Sequence, residues 1–219
     1  MFQKISKSFF WNIDFANLKL AYIAHQEEFQ KEINRVLSDA SYIMGPEIEK
    51  LEAGLSQFTG AKHSVSCSSG TDALLLAMMA LDIKPGDEII TTPFTFISTA
   101  ETIALLSAKP VFVDIDEETF NIDVNQIETK ITHKTKAIVP VSLFGQVANM
   151  DEINRLAEKY NLSVIEDAAQ SFGATYKGKK SCNLSTIACT SFFPAKPLGC
   201  FGDGGAVFTN NNTLTEKIK

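Results

Sequence analysis

Short, almost continuously apolar segments alternate with segments of helical periodicity along this chain, and that alternation restricts the fold more than any other feature. The strand-like segments are rich in β-branched residues: HSVSCSS, DEIITTP, KPVFVDID, AIVPVSL and LSVIEDA. The segments between them have the apolar spacing of helices: GTDALLLAMMALDI, FISTAETIALLSA, DVNQIETKI and MDEINRLAEKYN. Strands of this kind are typical of a sheet covered on both faces. The pattern predicts an α/β fold of three layers, with a mostly parallel sheet between helices.

Two more strand candidates and a helical N-terminal segment complete the predicted domain. IACTSFF and GAVFTN are joined by a turn-rich connection, so at least one pairing there is expected to be antiparallel. They bring the sheet to about seven strands. Residues 1–60 are expected to be helical, with Pro46 in a first helical turn and Gly60 just after a helix end. We expect them to pack on residues 61–219 as a single structural unit.

Composition and charge argue against several classes of protein. The chain has 219 residues, 45% of them hydrophobic and 21% charged, which is typical of a soluble globular domain. A net charge of −6 provides no basic footprint for nucleic acid or an anionic membrane. Asp14 interrupts the N-terminus before an export signal could form, and no apolar run reaches the roughly 18 residues of a membrane span. We therefore expect a cytoplasmic protein that binds neither nucleic acid nor membrane.

The cysteines and histidines do not have the spacing of a metal site. The four cysteines include no C-x-x-C pair: Cys67, Cys182, Cys189 and Cys200. The three histidines are scattered along the chain without ligand spacing. The thiols are therefore expected to be reduced and mostly buried, and no metal is predicted.

Small residues follow the first predicted strand, in SSGTDAL. The helix that begins there would direct unpaired N–H groups and the positive end of its dipole outward, which suits a phosphate. The alternative is an ordinary helix N-cap formed by Ser69 or Thr71. The stretch has neither the G-x-G-x-x-G pattern nor a Walker A loop, so dinucleotide and nucleoside triphosphate binding lack their defining residues.

Two adjacent acids, Glu166 and Asp167, end the strand LSVIED and are expected on opposite faces of it. A carboxylate at the end of a buried strand is costly unless it is paired with a positive charge. A helix cap or an ordinary salt bridge is the alternative for either residue.

Lys196 is the single charged residue between Lys180 and Asp203. Pro194 and Pro197 hold it on a stiff segment, and partial burial would lower its pKa toward the neutral amine that forms Schiff bases with carbonyls. The glycines that follow would let a flat ring lie against the backbone. The alternative is a lysine whose stem packs while its ammonium reaches water. A phosphate seat, an acid and an amine are together what pyridoxal 5′-phosphate (PLP) requires.

Three stretches carry a family resemblance: CSSGTDALLLAMMALDIKPGDEIITTPFTFISTAETI, VIEDAAQSFGATYKGK and SFFPAKPLGCFGDGGAVFTN. They resemble the DegT/DnrJ/EryC1/StrS family of PLP-dependent nucleotide-sugar aminotransferases, from about Phe15 to the C-terminus. The resemblance implies the large domain of the aspartate-aminotransferase-like fold, fold type I of PLP enzymes. It also implies that the C-terminal small domain of the family is absent from this chain.

The resemblance assigns a role to each candidate residue. Lys196 matches the lysine that is linked to PLP and then moves a proton, and Asp167 matches the carboxylate that pairs with the pyridine N–H. Gln170 matches a residue near the cofactor's phenolic oxygen, and Phe96 matches an aromatic residue that stacks on the ring. The matched phosphate contacts are Gly70, Thr71 and Ser191.

The resemblance also implies a reaction: ping-pong transfer of an amino group from glutamate to a nucleotide-linked keto sugar by a homodimer. PVSLFGQ and ATYKGKKSCNLSTIACTSFFPAKPLGC look most like the branch acting on UDP-2-acetamido-2-deoxy-3-keto-hexuronic acid, for surface polysaccharide such as O-antigen or capsule. Ser142, where many relatives carry a histidine, fits that branch. The alternatives are a 4-keto-6-deoxy nucleotide-sugar aminotransferase, a non-catalytic binding module, and a sugar dehydratase, whose relatives tend to replace the lysine.

Overall fold

The computed structural model describes residues 16–219, which form one compact unit that ends at Tyr42 and another that spans Ile43–Lys219. The first unit contains helices α1 (Leu18–Ala24) and α2 (Gln26–Asp39), so the helical run expected there is interrupted at His25. The predicted segment 1–60 begins in residues 1–15, which lie outside the described residues. No helix in the described part of the chain is long and apolar enough to cross a membrane.

The second unit contains the predicted strands and helices, and most of them are a few residues shorter than the sequence patterns. Its helices are α3 (Pro46–Thr59), α4 (Gly70–Ala80), α5 (Ser98–Leu105), α6 (Val124–Lys130), α7 (Met150–Tyr160) and α8 (Asn212–Ile218). Its strands are β1 (His63–Cys67), β2 (Glu88–Thr91), β3 (Lys109–Phe112), β4 (Thr135–Val139), β5 (Ser163–Asp167), β6 (Thr175–Tyr176), β7 (Lys179–Lys180), β8 (Ile187–Ser191) and β9 (Gly205–Thr209). Helix α8 and the small β6–β7 hairpin were not predicted.

Seven strands form one mixed sheet in the order β1-β9-β8-β5-β4-β2-β3. The pairs from β8 to β3 are all parallel. Strand β9 is antiparallel to both of its neighbours, β1 and β8. The prediction of a mostly parallel sheet with an antiparallel pairing near the C-terminus is therefore confirmed.

Neighbouring residues of the central strands face opposite sides of the sheet, as the two-residue period of a strand requires. Ile89 and Ile165 belong to a buried cluster with residues of α4, α5 and α8. Ile90 and Ile138 belong to another cluster, with residues of α6 and α7. The strands are apolar on both faces because helices cover both, which confirms the three-layer arrangement.

Strand β3 forms one edge of this sheet and contains a proline. The N–H of Lys109 donates to the Asp87 carbonyl at 2.8 Å, and the N–H of Val113 donates to the Thr91 carbonyl at 2.9 Å. The alternation of a strand therefore turns the backbone nitrogen of Pro110 away from β2, toward the open edge. Since proline has no N–H, the edge lacks a donor there.

The carboxyl ends of the parallel strands meet at one edge of the sheet. Strand β1 runs in the same direction as β8, because both are antiparallel to β9. The segments that follow β1, β2, β4, β5 and β8 therefore lie at this edge, together with the first turn of α4. Ligands of α/β sheets bind in this position.

Candidate active site

A cavity of about 450 Å³ opens among these segments. Every site residue predicted from the sequence lines it: Gly70, Thr71, Phe96, Asp167, Gln170, Ser191 and Lys196. They come from the start of α4, the segment between β2 and α5, and the ends of β5 and β8. Residues that are far apart in the sequence thus share one cavity, while their contacts with a cofactor stay a prediction.

Asp167 ends β5 and is 4% exposed. Its Oδ2 accepts a hydrogen bond from the Thr99 hydroxyl at 2.8 Å, and its Oδ1 accepts one from the Ala169 N–H at 3.2 Å. Burial raises the pKa of Asp167, while these hydrogen bonds and the positive charge of Lys196 oppose the rise. The carboxylate and the Lys196 amine therefore interact electrostatically across the cavity.

Thr99 is a site residue that the sequence patterns missed. It is fully buried in α5, and its hydroxyl lies 3.2 Å from the hydroxyl of Thr95, which lines the cavity. Because a hydroxyl can donate and accept, Thr99 can accept from Thr95 while it donates to Asp167. The pair connects the segment after β2 with the acid at the end of β5.

Glu166 is fully buried and makes a separate set of contacts from its neighbour Asp167. Its Oε1 accepts hydrogen bonds from the hydroxyls of Ser181 at 2.6 Å and Ser142 at 3.2 Å, and its Oε2 accepts one from the Cys182 N–H at 3.0 Å. Burial raises the pKa of Glu166, and the hydrogen bonds oppose that rise. Neither acid forms an ion pair within residues 16–219, so hydrogen bonds rather than a salt bridge offset part of the cost of their burial.

The start of α4 combines a cap with a close backbone contact. The Ser69 side chain accepts a hydrogen bond from the Asp72 N–H, so the N-cap that the sequence analysis gave as the alternative is present. Helix geometry still leaves the N–H groups of Gly70 and Thr71 without an intrahelical acceptor. A Cβ at Gly70 would lie 2.6 Å from the Cβ of Ser191, so only glycine lets α4 approach the end of β8 this closely.

Lys196 lies on a tight turn after β8. Its N–H donates to the Phe193 carbonyl at 2.8 Å, and the Cys200 N–H donates to the Phe192 carbonyl at 2.8 Å, which closes the loop behind it. The Lys196 side chain is half-buried and lines the cavity. In the described part of the chain no carboxylate forms an ion pair with its ammonium. Within the described residues the amine therefore has no fixed counter-ion.

Gln170 and Phe96 complete the cavity wall. The Phe144 N–H donates to Oε1 of Gln170 at 3.1 Å. Phe96 is 66% exposed and lines the cavity, so its ring is available to stack on a planar ligand. The cavity thus combines a buried acid, an amine, an amide, free backbone N–H groups and an exposed aromatic ring. This set suits a planar, phosphorylated carbonyl compound with a basic ring nitrogen.

Comparison with known proteins identifies relatives of this arrangement. A model of the DegT/DnrJ/EryC1/StrS aminotransferase family matches residues 24–219. The chain is similar to the UDP-2-acetamido-2-deoxy-3-oxo-D-glucuronate aminotransferase of Pseudomonas aeruginosa, with 58% identity over 207 residues. That alignment covers 94% of this chain and 58% of the relative.

Two solved structures share the fold. The crystal structure of S. venezuelae DesV in complex with a ketimine intermediate has a TM-score of 0.92 and 41% identity, covering 94% of this chain and 56% of that one. The crystal structure of NtdA from Bacillus subtilis with bound cofactor PMP has a TM-score of 0.85 and 36% identity, covering 89% and 44%. The aminotransferase fold predicted from the sequence is confirmed. The chain spans about half the length of the relatives it matches.

Proposed function

The chain belongs to the DegT/DnrJ/EryC1/StrS aminotransferase family, and from that membership we propose that the whole protein is a PLP-dependent transaminase. It moves an amino group from glutamate to a UDP-linked keto sugar. The observation that carries the proposal is the cavity in which Lys196, Asp167 and the start of α4 meet. Each of these elements suits a different part of PLP.

The residues of the cavity fit the cofactor. The N–H groups of Gly70 and Thr71, at the positive end of the α4 dipole, and the Ser191 hydroxyl suit the phosphate. Asp167 suits the ring nitrogen, since a buried carboxylate is stabilised by a charge-assisted hydrogen bond. When bound, PLP supplies an aldehyde that accepts an amine and a protonated ring that withdraws electrons from it.

The chain's own residues supply the proton transfers and the orientation. Asp167, which the Thr99 hydroxyl and the Ala169 N–H favour in its ionised form, would hold a proton on the ring nitrogen. Lys196 forms no ion pair within residues 16–219, and in its neutral form its Nζ would take a proton from a substrate carbon as general base and return it as general acid. Phe96 would cover one face of the ring and limit its rotation.

The sugar specificity rests on similarity. The Pseudomonas aeruginosa relative, named for a UDP-linked 3-oxo sugar, shares 58% identity with this chain. We therefore propose UDP-2-acetamido-2-deoxy-3-keto-hexuronic acid as the acceptor, for surface polysaccharide such as O-antigen or capsule. Ser142 is fully buried and donates to Glu166, so any effect it has on specificity is indirect. A cytoplasmic homodimer with glutamate as donor is part of the same proposal.

Cofactor binding is tested by adding PLP to the purified protein. We expect a visible absorption band that borohydride fixes as a covalent mass increase on Lys196. Lys196→Ala should remove both the band and the mass increase. Lys84→Ala, a change at an exposed lysine outside the cavity, should leave them intact. A wild-type protein that stays colourless with PLP would contradict the proposal and favour a non-catalytic binding module.

Substrate class is tested by mass spectrometry of the products. Glutamate and each candidate UDP-keto sugar would be incubated with this chain and with a protein extended to the length of its relatives. We expect amination of the 3-keto hexuronic acid in preference to 4-keto-6-deoxy sugars. Preferred amination of a 4-keto sugar would retain the transaminase class and overturn the choice of sugar.

A further inference from the structure

The Gln170 side chain is held in one of its two possible orientations. A backbone N–H can only donate, so the Gln170 atom that lies 3.1 Å from the Phe144 nitrogen must be the carbonyl oxygen Oε1. Gln170 also lines the cavity. With Oε1 engaged by Phe144, the Nε2 group is the part of the amide left to serve a ligand. The Nε2 group remains available to donate hydrogen bonds to a ligand in the cavity.

The donor that fixes Gln170 comes from an unusual backbone conformation. Phe144 has φ +53° and ψ +23°, in the left-handed region, although it carries a large side chain. This conformation costs a non-glycine residue about 1–2 kcal/mol. The ring is 71% exposed, so burial of the side chain does not compensate for that cost. The Phe144 ring has an edge contact with Phe94, with the ring centroids 6.4 Å apart, and hydrogen bonds of the neighbouring residues also hold the turn in place.

Asn121 supplies two of those interactions, beside the backbone hydrogen bond from the Gln146 N–H to the Leu143 carbonyl at 2.9 Å. It is 3% exposed, its Oδ1 accepts a hydrogen bond from the Leu143 N–H at 3.1 Å, and its Nδ2 donates to the Gln146 carbonyl at 3.1 Å. The side chain therefore bonds the backbone on both sides of Phe144 and helps to hold the turn closed. At one end of the turn the Ser142 hydroxyl donates to Glu166, which anchors the segment to β5.

We propose that Asn121 is a positioning residue that holds residues 142–146. The Phe144 N–H can then fix the Gln170 amide so that its N–H₂ group points toward the phenolic oxygen of PLP. This inference rests on the proposed use of PLP. An oriented N–H₂ group stabilises an oxygen anion and disfavours its protonation. Asn121, which follows β3, then acts on the cofactor without contacting it, through the turn at residues 142–146 that follows β4.

The test compares Asn121→Ala with wild type in two measurements. In the protein without PLP, hydrogen exchange of the Phe144 amide, followed by NMR, should be slow in wild type and faster in Asn121→Ala. With PLP, the variant should bind about tenfold more weakly, which corresponds to the loss of a hydrogen bond to a charged group. The pH midpoint of its visible absorption band should rise, since the anionic form loses a donor.

Two further variants separate orientation from stability. Gln170→Glu can keep one oxygen on the Phe144 N–H but presents a second oxygen to the cofactor, so it should weaken PLP binding while the Phe144 amide stays protected. Asn154→Ala removes a comparable hydrogen bond, from Nδ2 to the Leu184 carbonyl at 2.8 Å, away from the cavity. It should leave the Phe144 exchange rate and the band unchanged even if it lowers the melting temperature.

The outcomes distinguish this inference from the proposed function. If wild type fails to bind PLP, the proposed function fails, and with it the role of Gln170 toward the cofactor, whatever the exchange rates show. If wild type binds PLP but Asn121→Ala leaves the Phe144 exchange rate or the band's pH midpoint unchanged, the inference alone is overturned. An unchanged affinity in Gln170→Glu would also overturn it. Faster exchange, weaker binding and a shifted midpoint together would support it.

Discussion

The protonation state of Asp167 depends on a threonine hydroxyl that lies 68 positions away in the chain. Burial alone would favour the neutral acid, which cannot hold a proton on a ring nitrogen. The hydroxyl of Thr99 therefore lowers the pKa of an acid that is distant from it in the sequence. Its contribution can be isolated because valine has nearly the same shape.

Thr99→Val should raise the pKa of Asp167 further, because a hydrogen bond that favours the ionised form is lost. PLP affinity should fall about tenfold. The deficit should be largest at low pH and shrink as pH rises through the raised pKa of Asp167. Dissociation constants measured across a pH series by absorbance titration would check this.

Thr102→Val is the matched control for that change. Thr102 is also fully buried in α5, but its hydroxyl donates to the Ser98 carbonyl and not to Asp167. Its affinity profile should follow wild type. Identical profiles for the two variants would show that the Thr99 hydroxyl does not act on Asp167.

Glu166→Gln should flatten the dependence of stability on pH. The pKa of Glu166 is raised by burial, so its favourable contribution is complete below the ordinary glutamate value and is lost as pH rises through the raised value. Glutamine imitates the protonated form at every pH. Urea unfolding between about pH 5 and pH 8 should show a smaller loss of unfolding free energy in the variant. If the unfolding free energies of wild type and Glu166→Gln changed equally with pH, the raised pKa of Glu166 would be contradicted.

At the residue scale, the sequence revealed those site residues whose setting is unusual. Lys196 is conspicuous because no other charge lies near it in the chain, and Asp167 because it ends an apolar strand. Thr99 and Asn121 have no such sequence signal, because a threonine in a helix and an asparagine shortly before a helix are both common. Their importance arises only from the hydrogen bonds that the tertiary fold creates.

At the element scale, the strands of the main sheet were predictable because burial on both faces makes each of them an apolar run. The β6–β7 hairpin was not, because its strands have two residues each and are polar. Its turn places Lys177 and Gly178 at positive φ, where asparagine-glycine would have given a stronger signal. Helix α8 has only seven residues, too few for a clear periodic pattern.

Gly70→Ala should destabilise the protein by about 1–3 kcal/mol, because the added methyl would collide with Ser191 and push α4 away from β8. The displacement would also move the N–H groups that we assign to the phosphate, so PLP affinity should fall. Urea unfolding and an absorbance titration would measure the two effects. A variant of wild-type stability would mean that the helix start shifts without cost.

Gly54→Ala provides the opposite case in another helix. Gly54 lies exposed within α3, and a Cβ there would meet nothing within 4 Å. Because glycine is a poor helix former, alanine should stabilise the protein by about 0.5–1 kcal/mol. PLP affinity should not change. If alanine destabilised the protein at both positions, the clash of a Cβ with Ser191 would not explain the effect of Gly70→Ala.

At the scale of the whole molecule, the candidate site is built at the expense of stability. Asp167 carries a buried carboxylate whose pKa is raised by burial, which is unfavourable at neutral pH in the absence of a ligand. Binding of a ligand that pairs with it should recover that cost. The apolar pattern of the sequence places the acid in a buried strand, but only the fold shows that no counter-ion within residues 16–219 lies in direct contact with it.

Asp167→Asn should therefore separate stability from binding. Without PLP, the variant should unfold at a higher urea concentration than wild type at pH 8. With PLP at about 100 times its dissociation constant, wild type should gain about 2.7 kcal/mol, and the variant should gain much less at the same concentration. Thermal and urea unfolding with and without PLP would measure both. Equal gains would exclude Asp167 as a cofactor contact.

The proline in β3 affects how copies of this chain can associate. An unprotected outer strand is a template on which further chains can add, one after another, into fibrillar aggregates. Pro110 offers no hydrogen to an incoming strand at the centre of that border. Addition of further strands at β3 is thereby disfavoured. The concentrated protein should give no thioflavin fluorescence, and replacement of Pro110 should allow that fluorescence to appear.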